Sequence, residues 1–243
     1  MKELIAGGRW PEEERYLRAG YQTAGRGQTG NGWESEEGKN LLCSVLIDIS
    51  HWPLAVRPFY LNVAVSVAVH RMISSQPSAS SRQLTIKWPN DIYWGDKKVA
   101  GILVEGAIIG NEMQYAIAGI GLNVNQTEWR SDAPNPVSLK QITGGGDYDL
   151  DELMTRLMTE LDKTLEEDVW DYYKAHLYRR EGFWPFVERE VSTAPTMNAS
   201  GGEPANDRFM AQIEDVLPTG ELLLRDREGK SRRYHFKQVR YVV

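Results

Sequence analysis

Four glycines, Gly25, Gly27, Gly30 and Gly32, fall within eight residues of one another. Glycine loses more backbone freedom on folding than any other residue and has no side chain to pack, so no regular element can run through this stretch. The chain must therefore form a loop here, with its first strand before it and its first buried segment after it. Gly25-Arg26-Gly27-Gln28-Thr29-Gly30 matches G-x-G-x-x-G literally. A dinucleotide-binding turn with that pattern also needs a helix opening at the glycines. The segment instead continues through Asn31, Gly32, Trp33 and Ser35 to Gly38, which breaks any such helix. What remains is a backbone able to approach a ligand closely and wrap a phosphate. Arg26 adds a planar, permanently charged fork suited to phosphate or carboxylate. Trp33 adds a flat apolar surface. A plain surface loop is the competing reading, weakened by an arginine and a tryptophan so close to four glycines.

Composition narrows the classes. The formal net charge is -6, which argues against a nucleic-acid binder without excluding a local basic patch. Eight tryptophans and 41% hydrophobic residues suffice for a core. The one cysteine, Cys43, lies in the apolar run Leu41–Ile49 and reads as a small buried residue. The four histidines, His51, His70, His176 and His235, match no metal-ligand spacing. No signal peptide and no bilayer-length apolar stretch is visible, so a reducing, cytoplasmic setting is expected.

Along the chain, Leu17–Gln22 and Leu41–Ile49 read as strands, the second one buried. Pro58 suits a first helical turn, and Leu61, Val65, Ala68, Val69 and Met72 then repeat at helical spacing. A short helix is suggested at Lys2–Ala6. Leu84–Lys87 and Ile92–Trp94 flank a Trp-Pro-Asn-Asp turn. Val99–Ile109 and Met113–Leu122 form a hairpin across Gly110-Asn111. Asp149 with Glu152 fits a capping box, and the helix that follows sets Leu150, Leu153, Leu157, Leu161 and Leu165 on one face. Val191–Asp207 is polar and linker-like. Beyond it, Phe209–Val216, Glu221–Arg225, Arg232–Lys237 and Arg240–Val243 are short strands separated by turn residues, a spacing that suits a small barrel.

Lys87-Trp88-Pro89-Asn90-Asp91 is followed seven residues later by Lys98, then Ala100-Gly101. Pro89 restricts Trp88 to extended backbone, and Asn90 and Asp91 favour a turn. If the flanking strands pair, Lys87, Asp91 and Lys98 meet at one strand end. Two cations and a carboxylate there suit phosphate chemistry, with the carboxylate able to hold Mg²⁺. A tight turn with an ordinary surface ion pair explains the pattern equally well.

Four segments in order, Tyr21–Gly27, Lys87–Asp91, Lys97–Glu105 and Gly119-Ile120-Gly121-Leu122-Asn123-Val124-Asn125, resemble the motifs of biotin protein ligases. The resemblance covers about residues 1–180 well and the C-terminal part more loosely. It implies an α+β fold: a mixed β-sheet flanked by helices, like class II aminoacyl-tRNA synthetases, followed by a small SH3-like β-barrel. The implied domains are a catalytic unit over residues 1–180 and a C-terminal unit over 181–243, with the polar linker at 191–207. The implied reaction has two steps. Biotin carboxylate attacks the α-phosphate of ATP, giving biotinyl-AMP and pyrophosphate. A lysine of a biotin carboxyl carrier protein, such as the biotinyl domain of acetyl-CoA carboxylase, then attacks that anhydride. ATP and biotin are the substrates, Mg²⁺ the metal; no nucleic acid and no membrane is expected as a partner, and a homodimer stays open.

Carried over by residue, Gln22 and the backbone at Gly27 contact the ureido ring, and Arg26 holds the biotin carboxylate and α-phosphate. Lys98 sits where negative charge builds. Lys87 and Asp91 line the adenylate, with Asp91 near Mg²⁺ or the incoming amine. Gly101 allows close approach to biotin, and Asn123 helps hold the nucleotide. Gly25, Gln28, Trp33 and Gly121 complete the binding set, and the glycine loop orders when adenylate forms.

Three departures accompany the resemblance. The family's early Ser-Thr-Asn segment occurs nowhere here, and Met1 stands where the first helix should be under way. The expectation is a start lying upstream, with one strand and its hydroxyls missing. Gln28 stands where some members carry a second arginine. The linker at Val191–Asp207 is long. No helix-turn-helix segment precedes the catalytic part, so no repressor role is expected. The alternatives are a non-catalytic biotin or nucleotide sensor, a truncated inactive ligase, and a lipoate-type ligase, against which the Lys87–Asp91 segment and the Arg26 loop speak. Arg225, Arg227, Lys230, Arg232, Arg233, Lys237 and Arg240 read first as a solvated strand face, and second as a contact for ATP or an acidic carrier.

Overall fold

The computed structural model describes residues 1, 14–25, 27, 32–49, 58–76, 83–109, 112–131, 134–189 and 208–242. The suggested helix at Lys2–Ala6, the Gly110-Asn111 turn and the 191–207 linker lie outside them.

The expected α+β architecture is present. Six strands, β1 (Tyr16–Ala19), β2 (Leu41–Asp48), β3 (Leu84–Lys87), β4 (Asp91–Trp94), β5 (Lys97–Ile109) and β6 (Glu112–Leu122), form one sheet in the order β1-β2-β6-β5-β4-β3. Every ladder in it is antiparallel among the described residues, which refines the expected mixed sheet. The cause is connection length: β3 through β6 follow one another through short turns, and a short turn can only reverse the chain. Parallel contact is confined to two isolated bridges, Ile86 to Leu177 and Lys98 to Pro136.

One face of this sheet is covered by α1 (Pro58–Ser74), which starts at Pro58 as its sequence requires. Val63, Ala64, Val65, Val67, Ala68 and Val69 are all fully buried, so this helix is apolar around most of its girth and lies inside the core. It packs between the sheet and α3 (Leu150–Glu166), an amphipathic helix that buries Leu153, Met154, Leu157 and Leu161. Asp149 caps α3 by accepting from the Asp151 and Glu152 amides, but Glu152 turns away to Arg156. The reciprocal capping box belongs to the short α2 (Leu139–Thr143), between Ser138 and Gln141. A further short helix, α4 (Trp170–Ala175), leads to the second sheet.

That second sheet contains β7 (Trp184–Glu188), β8 (Arg208–Val216), β9 (Leu222–Asp226), β10 (Ser231–Tyr234) and β11 (Val239–Tyr241), in the order β10-β9-β8-β7-β11. All its ladders are antiparallel, and β10 and β11 do not pair with each other. The SH3-like closure expected from the resemblance is therefore corrected to an open five-stranded sheet. Its two edge strands are short, four residues in β10 and three in β11.

The two sheets meet through specific contacts. Trp88, 4% exposed, donates its indole N–H to the Gly220 carbonyl at 3.0 Å. Gly220 has φ +94°, and a Cβ there would stand 2.6 Å from Phe59 Cδ2, so this turn tolerates only glycine against α1. Arg179 donates to the Val242 carbonyl at 2.7 Å, Arg180 to the Ile213 carbonyl at 2.9 Å, and Lys174 pairs with Asp215 at 2.6 Å.

Candidate active site

The Trp-Pro-Asn-Asp turn is held from three sides. Tyr173 donates to the Pro89 carbonyl at 2.8 Å, Asn90 to Asn62 Oδ1 of α1 at 2.7 Å, and Trp88 reaches Gly220. Lys87 and Asp91 thereby become partners across the β3–β4 ladder. On the next strand the β4–β5 register shifts at Ile92/Tyr93. Such a bulge re-aims the side chains beside it, and here Lys98 Nζ lies 2.8 Å from Asp91 Oδ2. The Lys98 backbone is clamped as well: its N–H donates to the Asn135 carbonyl at 2.8 Å, and its carbonyl accepts from Val137 at 3.0 Å. Lys87 takes a different course. Its amine donates to the Tyr93 hydroxyl at 3.1 Å and lies 4.4, 5.3 and 5.7 Å from the ring centroids of Tyr93, Tyr241 and Tyr178. Burial is the largest influence on it and pushes its pKa down to about 8, with Asp91 acting in the opposite sense.

Beside these charges the sheet surface is bare. Gly101 of β5 and Gly121 of β6 stand directly opposite each other, with Leu42 of β2 next in the row; the neighbouring row is Leu103, Gly119 and Ser44. Two adjacent glycines leave a flat patch of backbone where a planar group can lie close. The Trp33 indole occupies that patch. A Cβ at Gly121 would fall 2.6 Å from Trp33 Cε2, and one at Gly101 would fall 3.0 Å from Trp33 Cζ3 and 3.2 Å from Lys98 Nζ. The indole N–H is buried without a hydrogen-bond partner. Trp33 is fixed at its base: its N–H donates to the Gly25 carbonyl at 3.0 Å, and a Cβ at Gly25 would collide with the Trp33 carbonyl at 2.4 Å. The next residue, Glu34, accepts from the Arg130 and Ser131 amides at 2.8 Å each. Burial pushes the Glu34 carboxyl upward, but these bonds outweigh it and its pKa ends below the usual range.

Around this platform lies a cavity of about 550 Å³. Both sheets and their connecting turns contribute walls: Gln22, Ser44, Trp88 and Leu103 from the first, and Phe236, Arg240 and Tyr241 from the second. The side chains of Gln22 and Ser44 make no hydrogen bond among the described residues. Phe236, 43% exposed, sets its ring 5.9 Å from that of Trp88 at the rim. Among the described residues no cluster of three or more acidic, histidine or cysteine side chains is placed to hold a metal. Asp91 therefore fits an ion that takes most of its ligands from substrate phosphates and water, as Mg²⁺ commonly does.

Of the residues singled out from sequence, Gln22, Gly27, Trp33, Lys87, Asp91, Lys98, Gly101 and Gly121 all line this cavity. Gly25 lies just behind it, against Trp33. Asn123 is buried behind β5, where its amide reaches toward the Lys98 and Val137 carbonyls at 3.4 and 3.3 Å. Arg26 and Gln28 lie outside the described residues. Sequence reading missed Ser44, Phe236 and Tyr241. Strand alternation through Leu42, Ser44 and Leu46 carries the signal for Ser44. Nothing local announces the other two, which reach the cavity only through packing of the second sheet. Of the basic C-terminal residues, Arg225 pairs with Glu214, Arg232 with Glu188 and Arg233 with Glu221, whereas Lys237 and Arg240 line the cavity.

The glycine-floored slot and the lysine–carboxylate pair at its end are carried on an antiparallel sheet backed by helices. The sequence profile of the Biotin/lipoate A/B protein ligase family matches residues 9–123. The chain is 30% identical over 172 residues to the bifunctional ligase/repressor BirA of Escherichia coli, covering 70% of this chain and 49% of BirA. It is 32% identical over 146 residues to the biotin–[acetyl-CoA-carboxylase] ligase of Mycobacterium tuberculosis, covering 60% and 52%. Its fold matches that of the Aquifex aeolicus biotin protein ligase solved with biotin and ATP, with a TM-score of 0.68 over 93% of this chain and 89% of that one, at 22% identity. By sequence and by fold, then, the chain is similar to biotin protein ligases. It spans about half the length of the curated relatives it matches.

Proposed function

We propose that this chain activates biotin with ATP and transfers it to a lysine of a biotin carboxyl carrier protein. The observation that carries this reading is the Lys98–Asp91 pair at the edge of the Gly101–Gly121 platform. The cavity beside the platform accepts the folded bicycle of biotin, against the Trp33 indole that covers the two glycines. The Gln22 and Ser44 side chains, without a hydrogen-bond partner among the described residues, are available to the ureido ring of biotin. The ligand's carboxylate then points toward Lys98. When that carboxylate attacks the α-phosphate of ATP, negative charge grows on the phosphoryl oxygens, and a preorganised ammonium beside them lowers the barrier. Lys87 adds a second cation along the adenylate. Asp91 is the side chain that would hold Mg²⁺, which would supply neutralisation of phosphate charge. After pyrophosphate leaves, the carrier amine attacks the carbonyl carbon of the anhydride. Asp91 is placed to accept the proton that the amine loses, and AMP departs. The setting is cytoplasmic; among the described residues no helix is long and apolar enough to cross a membrane.

The lipoate alternative fits less well, because relatives of Mycobacterium tuberculosis and Homo sapiens are named as biotin ligases. A non-catalytic sensor leaves the clamped Lys98–Asp91 pair without a purpose. The test is the intact mass of a biotin-acceptor domain incubated with this chain, ATP, Mg²⁺ and biotin. A gain of one biotinyl group is expected. Binding of biotin and ATP with neither pyrophosphate release nor mass gain would establish the sensor instead.

A further inference from the structure

Asp91 has two lysines in reach and pairs with only one. It stands directly across the β3–β4 ladder from Lys87, yet its ion pair is with Lys98. Lys87 is drawn instead among three tyrosine rings. Tyr93 comes from β4, Tyr178 from the segment after α4, and Tyr241 from β11 of the second sheet. We infer that Tyr241 is a positioning residue: its ring closes the cage that holds Lys87 away from Asp91, and so leaves Asp91 to Lys98. For its catalytic meaning this rests on the ligase reading above.

The physical basis is the ring quadrupole. An ammonium is attracted to the electron-rich faces of aromatic rings, the more so when water is excluded. Tyr241 is 5% exposed, packs on Phe186 at 4.9 Å and on Tyr178 at 5.6 Å, and leaves Lys87 little solvent on that side. Its hydroxyl is buried with no hydrogen-bond partner, so the ring is what it contributes. The ring is also held in place. The Val242 carbonyl next to it accepts from Arg179, Arg179 reaches Asp96 at 3.4 Å, and Asp96 accepts from the Tyr178 hydroxyl at 2.5 Å. The charged groups acting on Lys87 are Asp91, Asp96, Lys98 and Arg179. The ion pairs among them, Lys98–Asp91 and Arg179–Asp96, leave Lys87 a cation without a carboxylate partner, facing the cavity. The second sheet thus completes the site by settling how two lysines share one carboxylate.

The test combines NMR of the full chain labelled at lysine ¹³Cε with kinetics of biotin-dependent pyrophosphate release. The Lys87 resonance, assigned by its loss in Lys87→Arg, is expected upfield of the other lysines because three rings shield it. Tyr241→Leu should move it toward the other lysines and raise the KM for ATP about tenfold, with the KM for biotin unchanged. Tyr241→Phe, which keeps the ring, should recover most of both losses. Should the leucine variant be unfolded, Tyr241→Met removes the ring and keeps the bulk. An unmoved Lys87 resonance, a phenylalanine variant as impaired as the leucine one, or a joint rise of both KM values would overturn the inference. If the unaltered chain releases no pyrophosphate, the ligase reading fails alone, and the Lys87 resonance still decides the cage.

Discussion

Replacing Gly121 by alanine tests whether the platform and its tryptophan are one unit. The new Cβ would lie 2.6 Å from Trp33 Cε2, 2.9 Å from Cζ2 and 3.0 Å from Nε1. Carbon atoms sit comfortably at about 3.5–4.0 Å, so the indole must retreat by roughly 1 Å. Overpacking a tight contact costs about 1–3 kcal/mol. Because the obstacle is the end of a side chain rather than backbone, the low end applies, about 1 kcal/mol, or roughly 2–4 °C in Tm for a chain of this size. With Trp33→Ala already in place, the obstacle is gone. A glycine within a strand costs roughly 0.5–1 kcal/mol relative to alanine, so Gly121→Ala should then stabilise by about that amount. The sign reverses between backgrounds, and the coupling energy is about 1.5–2 kcal/mol. Urea unfolding of the four chains, followed by circular dichroism, measures it. Equal costs in both backgrounds, within about 0.5 kcal/mol, would refute the packing argument.

Three further outcomes follow from other parts of the molecule. Gly220→Ala should cost more than Gly121→Ala, about 3 kcal/mol or above, since it combines strain at φ +94° with a 2.6 Å collision against Phe59 in the core; thermal unfolding compares the two. His70 is 1% exposed, and burial, the largest influence, pushes its pKa down to about 4, so it is neutral in the fold. As pH falls below 6.5 the unfolded chain takes up this proton first. Stability from this site is therefore intact above pH 6.5 and declines toward pH 4, by roughly 2.5 kcal/mol at pH 4.5. Unfolding at pH 7.5 and 4.5 should show a smaller difference in His70→Gln than in the unaltered chain. Lys98→Ala should fold normally, because its ion pair is partly exposed, while biotin-dependent pyrophosphate release falls about 10²–10³-fold; unchanged release in a folded variant would remove Lys98 from the reaction.

Much of the site is legible in the sequence because its parts are local. Lys87, Asp91 and Lys98 meet through two successive short turns, so spacing alone brings them together. The helix face through Leu153, Leu157 and Leu161 and the start of α1 at Pro58 follow from periodicity and capping chemistry in the same way. What escaped was set by distant parts of the chain. The expected capping box at Asp149 forms only in part because Glu152 finds Arg156 four residues on. The strand Trp184–Glu188 has neither clean alternation nor a flanking turn pair, and is defined by its partners β8 and β11. The preference of Asp91 for Lys98 over its direct cross-strand neighbour depends on three tyrosines, one of them at residue 241.

The cavity joins Gln22 near one end of this chain to Tyr241 near the other. On the ribosome a chain grows from its N-terminus at about 5–20 residues per second, and domains tend to fold as they emerge. The glycine platform can therefore form before the second sheet covers it, while the choice of Asp91 between Lys98 and Lys87 waits for Tyr241. During that interval the slot is open to water on the side that Phe236, Arg240 and Tyr241 later cover. On the ligase reading, an anhydride formed in that uncovered slot would be lost to hydrolysis, so the strand that carries Tyr241 acts as a timer for protected chemistry.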